Sequence, residues 1–314
     1  MEINNEIGIP GKEMFVDSVW LADHLKDREL RIVDLRFSRC FSKHDKVAEE
    51  CLEFYKEAHI PGAVYIDCMK DLTDPSFKDI FYVPPPDYFA EVMRRVGIGN
   101  KTIVVSYDEA PYPLAAARFW WTMLYFGHNC VKILEGGIRK WAKEGRPLSD
   151  KIPQVPFETF TPRIHESLRM IKEGVKKYLL DDQTVIIDCL RFPNYSGKTL
   201  NTWSMRKGHI PGAVWLSPME LVKGMNYASP EKERDRAMFN DEPYSFFPKD
   251  ELCRIFAGIG VKRGKKVIVY CGKGDAACSV FLALKMVNIN DVSVYDGSLA
   301  EWSRDASLAM EVSS

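Results

Sequence analysis

The segment His-Ile-Pro-Gly-Ala-Val occurs twice in the chain, at 59–64 and again at 209–214. Six identical residues recurring in 314 imply a duplicated domain, and a duplication constrains the fold before any local pattern is read. The length suits two domains of ordinary size, each burying its own core. The expected division is 10–149 for the first copy, 150–164 for a linker and 165–310 for the second. The linker lies in the proline-rich stretch from Glu144 to Pro162, where Pro147, Pro153, Pro156 and Pro162 disfavour helix.

Within each copy the elements follow one order. A β-branched run ends in aspartate, Ile32–Asp34 in one copy and Val185–Asp188 in the other. The repeated segment leads into a second extended piece, Val64–Ile66 or Val214–Leu216, and then to a helix around Tyr88–Met93 or Glu251–Phe256. Glycine stops at Gly97 and Gly258 precede the central strands, Ile103–Tyr107 and Val267–Tyr270. Helices over Ala115–Phe126 and Ala276–Val287 follow, and a last strand ends at Glu135-Gly136 or Asp296-Gly297. Apolar strands alternating with helices predict an α/β fold in each copy, a parallel sheet flanked by helices. Trp141 and Trp302, each five residues past the aligned glycine, read as core anchors. Asp34 and Asp188 read as residues that fix neighbouring loops.

A net charge of −1 gives no reason to expect a nucleic-acid or membrane-surface partner. No stretch reaches the roughly 18–20 apolar residues that span a bilayer. The first residues, Met1–Glu13, lack a basic and apolar leader. The eight cysteines are scattered, with no C-x-x-C pair and no zinc spacing. Reduced thiols, a cytoplasmic location, no metal and no cofactor are therefore expected. The polar run at 223–241 has no counterpart in the first copy and reads as a solvated surface insertion.

The copies differ where chemistry is expected. Aligning the central strands places Asp108 opposite Cys271. The stretch from Tyr270 to Ala277 reads strand, tight turn, helix, so backbone N–H groups and the helix dipole converge on the sulfur. Such a thiol is expected to have a depressed pKa. Gly272 and Gly274 let the backbone curl, Lys273 attracts anions, and Asp275 is expected to face outward. A carboxylate cannot accept and pass on sulfur, so the first copy is expected to be silent.

The duplicated segments, the Tyr-Cys-x-x-Gly-x-Ala loop and the ending Tyr295-Asp296-Gly297-Ser298 with Glu301-Trp302 resemble the tandem-domain rhodanese family. Arg118-Phe119-Trp120-Trp121 and Phe126-Gly127-His128 resemble that family's inactive N-terminal domain, and the likeness runs from Phe15 to Leu308. The resemblance implies two tandem rhodanese-like domains and a thiosulfate or 3-mercaptopyruvate sulfurtransferase. It implies a Cys271 persulfide, formed from a small anionic donor and discharged to cyanide or a thiol, with ping-pong kinetics. The amides of 272–276, those of Gly272, Lys273, Gly274, Asp275 and Ala276, would stabilise the sulfur anion.

The loop departs from the family. Thiosulfate enzymes typically read Cys-Arg-Lys-Gly-Val-Thr and mercaptopyruvate enzymes Cys-Gly-Ser-Gly-Val-Thr, against Cys271-Gly272-Lys273-Gly274-Asp275-Ala276 here. The hydroxyl that the family offers for proton transfer is missing at Ala276. Of the arginines that bind a substrate carboxylate, Arg191 sits one place from the first expected position, and Asn194 occupies the second. With the clamp incomplete, Lys273, Arg191 and Lys198 favour thiosulfate as donor, with 3-mercaptopyruvate the alternative. His59, paired by the repeat with His209, reads first as a structural brace and second as an auxiliary proton carrier. Cys278 reads as core. A phosphatase of related fold would close a longer loop with arginine, but six places on from Cys271 stands Ala277. A non-turnover persulfide relay is the remaining different class, and discharge by free cyanide separates it from an enzyme.

Overall fold

The computed structural model describes residues 14–36, 47–77, 79–223 and 243–313. Residues 1–13, Cys40 and all of the 223–241 run except Lys223 lie outside the described residues. The first copy contains strands β1 (Phe15–Val16), β2 (Leu30–Asp34), β3 (Val64–Tyr65), β4 (Ile103–Tyr107) and β5 (Val131–Leu134). Its helices are α1 (Ser18–His24), α2 (Val47–Glu57), α3 (Pro86–Arg95), α4 (Ala115–Tyr125) and α5 (Gly137–Lys143). The second copy repeats them with β6 (Arg169–Met170), β7 (Thr184–Asp188), β8 (Val214–Trp215), β9 (Lys266–Tyr270) and β10 (Val292–Tyr295). Around these lie α6 (Lys172–Tyr178), α7 (Phe192–Tyr195), α8 (Lys249–Gly258), α9 (Ala276–Met286) and α10 (Ser298–Trp302).

The two sheets have the same order, β1-β5-β4-β2-β3 and β6-β10-β9-β7-β8, and every pairing is parallel. The central strands β2, β4, β7 and β9 are buried along nearly their whole length, which is why they are apolar on both faces. The edge strands β1 and β6 have two residues each, too few for a periodic signal, and the sequence pattern does not reveal them.

The repeated motif has a physical explanation in this sheet. Asp34 lies beside Tyr107 in register, and Asp188 beside Tyr270. The Tyr107 hydroxyl donates to Asp34 Oδ2 at 2.7 Å and accepts the Ile60 N–H at 3.2 Å. In the second copy the Tyr270 hydroxyl accepts the Ile210 N–H at 2.9 Å and hydrogen-bonds Asp188. Each buried tyrosine thus ties a strand-end aspartate to the His-Ile segment and satisfies a buried backbone donor.

The copies pack through α4 against α9. Both helices are buried almost throughout, as apolar helices between two sheets must be. Trp120 meets Phe281 with centroids 6.2 Å apart, and Ser279 Oγ donates to the Pro113 carbonyl at 2.6 Å. A second seam forms at Asp296, which accepts the Val83 N–H at 2.8 Å and the Arg169 Nε at 3.0 Å. Among the described residues no helix is long and apolar enough to cross a membrane. The expectation of uniformly reduced thiols fails at Cys51, which is disulfide-bonded. The other six described cysteines are free.

Tyr107→Phe removes one hydroxyl and leaves the Ile60 N–H without its partner. A loss of about 1–3 kcal/mol is expected in urea denaturation, the cost of one orphaned buried donor. A change near zero would remove this junction from the account of the fold.

Candidate active site

Cys271 follows the last residue of β9, and Asp275 caps α9. The turn between them is fastened at each backbone group that α10 can reach. The Cys271 carbonyl accepts the Leu299 N–H at 3.1 Å, and the Gly272 carbonyl accepts the Ala300 N–H at 2.8 Å. The Cys271 N–H donates to Ser298 Oγ at 3.2 Å. Gly274 turns with φ +91°, and a Cβ there would lie 2.8 Å from the Asp296 carbonyl oxygen, so only glycine fits. Its N–H points at Cys271 Sγ, 3.1 Å away. Its carbonyl accepts from the Cys278 thiol at 3.1 Å and from Arg118 Nη1 of the first copy at 3.4 Å. Cys278 is therefore buried and braces the turn.

The charges around the sulfur differ from expectation. Asp275 does not face outward: its Oδ1 accepts the Cys271 thiol at 3.4 Å and the Ala276 N–H at 2.8 Å. Its Oδ2 lies 3.4 Å from Lys273 Nζ. Turning inward satisfies the helix N-terminus and a buried ammonium together. Lys273 itself is buried, with Nζ 4.2 Å from the centre of the Phe81 ring and 4.7 Å from that of Trp203. Phe81 and Trp203 meet edge to face, with Trp203 and Asn201 also lying close over Gly272. Ala276 opens α9 and offers only its backbone.

The expected depressed thiol pKa is corrected for the resting protein. Full burial, and after it the Asp275 carboxylate, push Cys271 up to about 12. The N–H groups of Ala277, Lys273 and Gly274 act in the opposite direction, as the sequence implied, but are outweighed.

Arg191 is the N-cap residue of α7, and the Cys189 N–H just before it bonds the Tyr270 carbonyl at 2.8 Å. The segment therefore leaves the sheet beside the cysteine turn. Arg191 is half-buried and Lys198 is exposed. Asn194 is engaged locally, donating from Nδ2 to Thr199 Oγ1 at 2.9 Å. The His59 ring is engaged within the first copy. It is wholly buried, stacked on Tyr55, with ring nitrogens 2.6 and 3.1 Å from the Tyr55 and Lys151 carbonyl oxygens. His209 repeats the arrangement on Tyr195, which is the bracing role.

Phe81, Trp203 and Asn201 were not legible at this site, since each comes from a distant segment. No group of three or more His, Cys, Asp or Glu able to hold a metal occurs among the described residues. In the first copy Asp108 takes the place of Cys271: its carbonyl accepts the Ile138 N–H at 3.1 Å, as Cys271 accepts from Leu299. Its Oδ2 accepts the N–H groups of Leu114 and Ala116 at 2.9 and 3.0 Å, while Oδ1 has no partner. Desolvation pushes this carboxyl up to about 7, against those amides.

Comparison with known proteins gives the same frame. The rhodanese-like domain family matches residues 17–144 and again 172–305. The chain is 31% identical to a 3-mercaptopyruvate sulfurtransferase of Escherichia coli (strain K12), over 95% of this chain and 97% of that one. It is 29% identical to a thiosulfate sulfurtransferase of Rattus norvegicus, over 93% and 92%. The crystal structure of SseA from Escherichia coli, a 3-mercaptopyruvate sulfotransferase, superposes with a TM-score of 0.75 at 30% identity, covering 91% of this chain and 98% of that one.

The Asp108 carboxyl has a folded pKa of about 7 against 3.8 for the free group, so the fold prefers its neutral form. Its contribution to stability is complete below the unfolded value and is lost as pH rises through about 7. Asp108→Asn should raise the melting temperature at about pH 8 and leave it unchanged at about pH 4. A gain independent of pH would assign the effect to something other than this ionisation.

Proposed function

The chain belongs to the rhodanese family and is a sulfurtransferase of that type; we propose that its sulfur passes through Cys271 and that 3-mercaptopyruvate is its donor. The observation that carries the reading is the contrast between the two equivalent turns. One holds a nucleophilic thiol against backbone N–H groups, and the other holds the Asp108 carboxylate. A carboxylate in such a turn cannot form a persulfide, so transfer belongs to the second copy.

Charge favours the donor. Sequence alone leaned toward thiosulfate through Lys273, but Lys273 is paired with Asp275. The remaining cation at the turn, Arg118, is buried and holds the Gly274 and Phe81 carbonyls. Thiosulfate would bring two negative charges to a turn whose ammonium is already neutralised by the Asp275 carboxylate. Mercaptopyruvate carries one charge, on a carboxylate remote from its sulfur. Arg191, leaving the sheet beside the turn, is the residue assigned to that carboxylate, and Lys198 is an outer contact. The chain's Gly272 is also the residue of the mercaptopyruvate loops.

In this reading the Cys271 sulfur attacks the donor sulfur, pyruvate leaves, and a thiol or cyanide then removes the transferred atom. The amides of Lys273, Gly274 and Ala277 hold the charge of the thiolate and of the persulfide. The full burial of Cys271 means that Trp203 and Phe81 must part for the donor to enter. We place the reaction in the cytoplasm, where reducing conditions keep an accepting thiol free.

Cys271→Ser should abolish transfer and Cys278→Ser should retain it. Mass spectrometry of the wild type after donor exposure should find one added sulfur on the peptide holding Cys271. The ratio of kcat/KM for mercaptopyruvate over thiosulfate should exceed one, since it measures discrimination in the transition state. A ratio below one returns the donor to thiosulfate, and transfer by the Cys271→Ser protein ends the assignment.

A further inference from the structure

A sulfur acceptor that rests as a neutral, buried thiol needs a partner for its proton. Burial is the first cause that raises this thiol, so the turn amides alone leave it protonated. The titratable groups around the turn come from α4, α9, the end of β7, the first copy's Cys68 and the turn itself. Arg118 of α4 is a cation and accepts nothing. Cys278 of α9, Cys189 after β7 and Cys68 of the first copy are thiols that burial pushes up. Lys273, on the turn itself, is an ammonium paired with Asp275. Both repeat histidines are bound to carbonyl oxygens elsewhere. Ala276 has no hydroxyl.

We propose that Asp275 is a catalytic proton carrier, taking the thiol proton from Cys271 and delivering it to the group that sulfur leaves; this rests on the reading of Cys271 as the sulfur acceptor. Its Oδ1 already accepts that thiol at 3.4 Å. The carboxylate is aimed from both oxygens, by the Ala276 N–H at 2.8 Å and by Lys273 Nζ at 3.4 Å. At 15% exposure the side chain also reaches the edge of the site.

With mercaptopyruvate the step balances without another reactant. The thiol proton moves to Asp275 as Sγ attacks the donor sulfur. The new S–S bond forms while the donor's S–C3 bond breaks, and the electron pair of that bond goes to C3 as the enolate of pyruvate. Asp275 returns the proton to C3. Cys271 ends as a persulfide, the donor ends as pyruvate, and Asp275 is a carboxylate again. The carboxylate thus does the task for which the related loops carry a hydroxyl.

The same carboxylate also raises the thiol pKa by charge repulsion, and that gives the test its direction. If Asp275 only repels, Asp275→Asn makes the thiol more acidic and sulfur transfer faster. If it carries the proton, the two readouts move oppositely. The pH midpoint of iodoacetamide alkylation at Cys271 should fall in Asp275→Asn. Single-turnover persulfide formation from mercaptopyruvate should slow by about 100-fold or more, the usual weight of a positioned proton carrier. Asp275→Glu should recover part of the rate. Transfer in Asp275→Asn equal to or faster than wild type overturns the proposal. Should the variant's Cys271 resist alkylation because the turn has collapsed, wild-type single turnovers in D2O decide: slowing upholds the role, and an unchanged rate overturns it. A wild type that gains no sulfur on Cys271 removes the sulfur-acceptor reading itself, which the Asp275 variants leave untouched.

Discussion

The turn at 271–274 is held by hydrogen bonds that aim the Gly274 N–H at the Cys271 sulfur. Leu299 and Ala300 fix the carbonyls of Cys271 and Gly272, and Ser298 fixes the cysteine N–H. Gly274 is locked by its left-handed conformation against the Asp296 carbonyl. A side chain at Gly274 would push the turn off the strand end, and the N–H that now points at sulfur would point elsewhere. Everything chemical in the molecule depends on this fastening, because an amide stabilises an anion only when it is already aimed. The rest of the architecture supplies the supports: α10 from the same copy, and α4 of the other copy through Arg118.

The duplication makes the electrostatics legible. The two turns are held alike by the second residue of the last helix, Ile138 of α5 in one copy and Leu299 of α10 in the other. One cradle has been filled with the Asp108 carboxyl group, and that copy contributes Arg118, Phe81 and the α4 face to its partner's site. In the other cradle the carboxylate has moved four residues on, to Asp275, where it touches the sulfur without replacing it. A group that opposes the thiolate in the resting state and accepts its proton in the reaction has two effects of opposite sign on one atom. Lys273 moderates the first by pairing with the second oxygen, and Phe81 and Trp203 hold that ammonium by its charge against their ring faces.

The paired repeat segments set the fold through a junction that neither strand pattern nor propensity names. Strand-end aspartate, strand-end tyrosine and the Ile60 or Ile210 N–H form one buried unit in each copy. His59 and His209 stack beside it on Tyr55 and Tyr195. A motif that recurs in both copies is explained by what they share, which is the sheet. What they do not share, Asp108 against Cys271, is where the proposed chemistry lies.

From the sequence, the duplication, the order of the long strands and helices and the position of the cysteine turn follow directly. Each rests on local chemistry: apolar runs, glycine stops and a strand-turn-helix junction. The short strands Phe15–Val16 and Arg169–Met170 do not follow, because two residues carry no period. The direction of Asp275, the burial of Lys273 between Phe81 and Trp203 and the reach of Arg118 into the other copy were decided by tertiary structure alone. Which way a side chain turns, and how much water remains around a thiol, depend on neighbours brought from distant segments. A local pattern fixes where a nucleophile sits; the packing around it sets its charge and its proton.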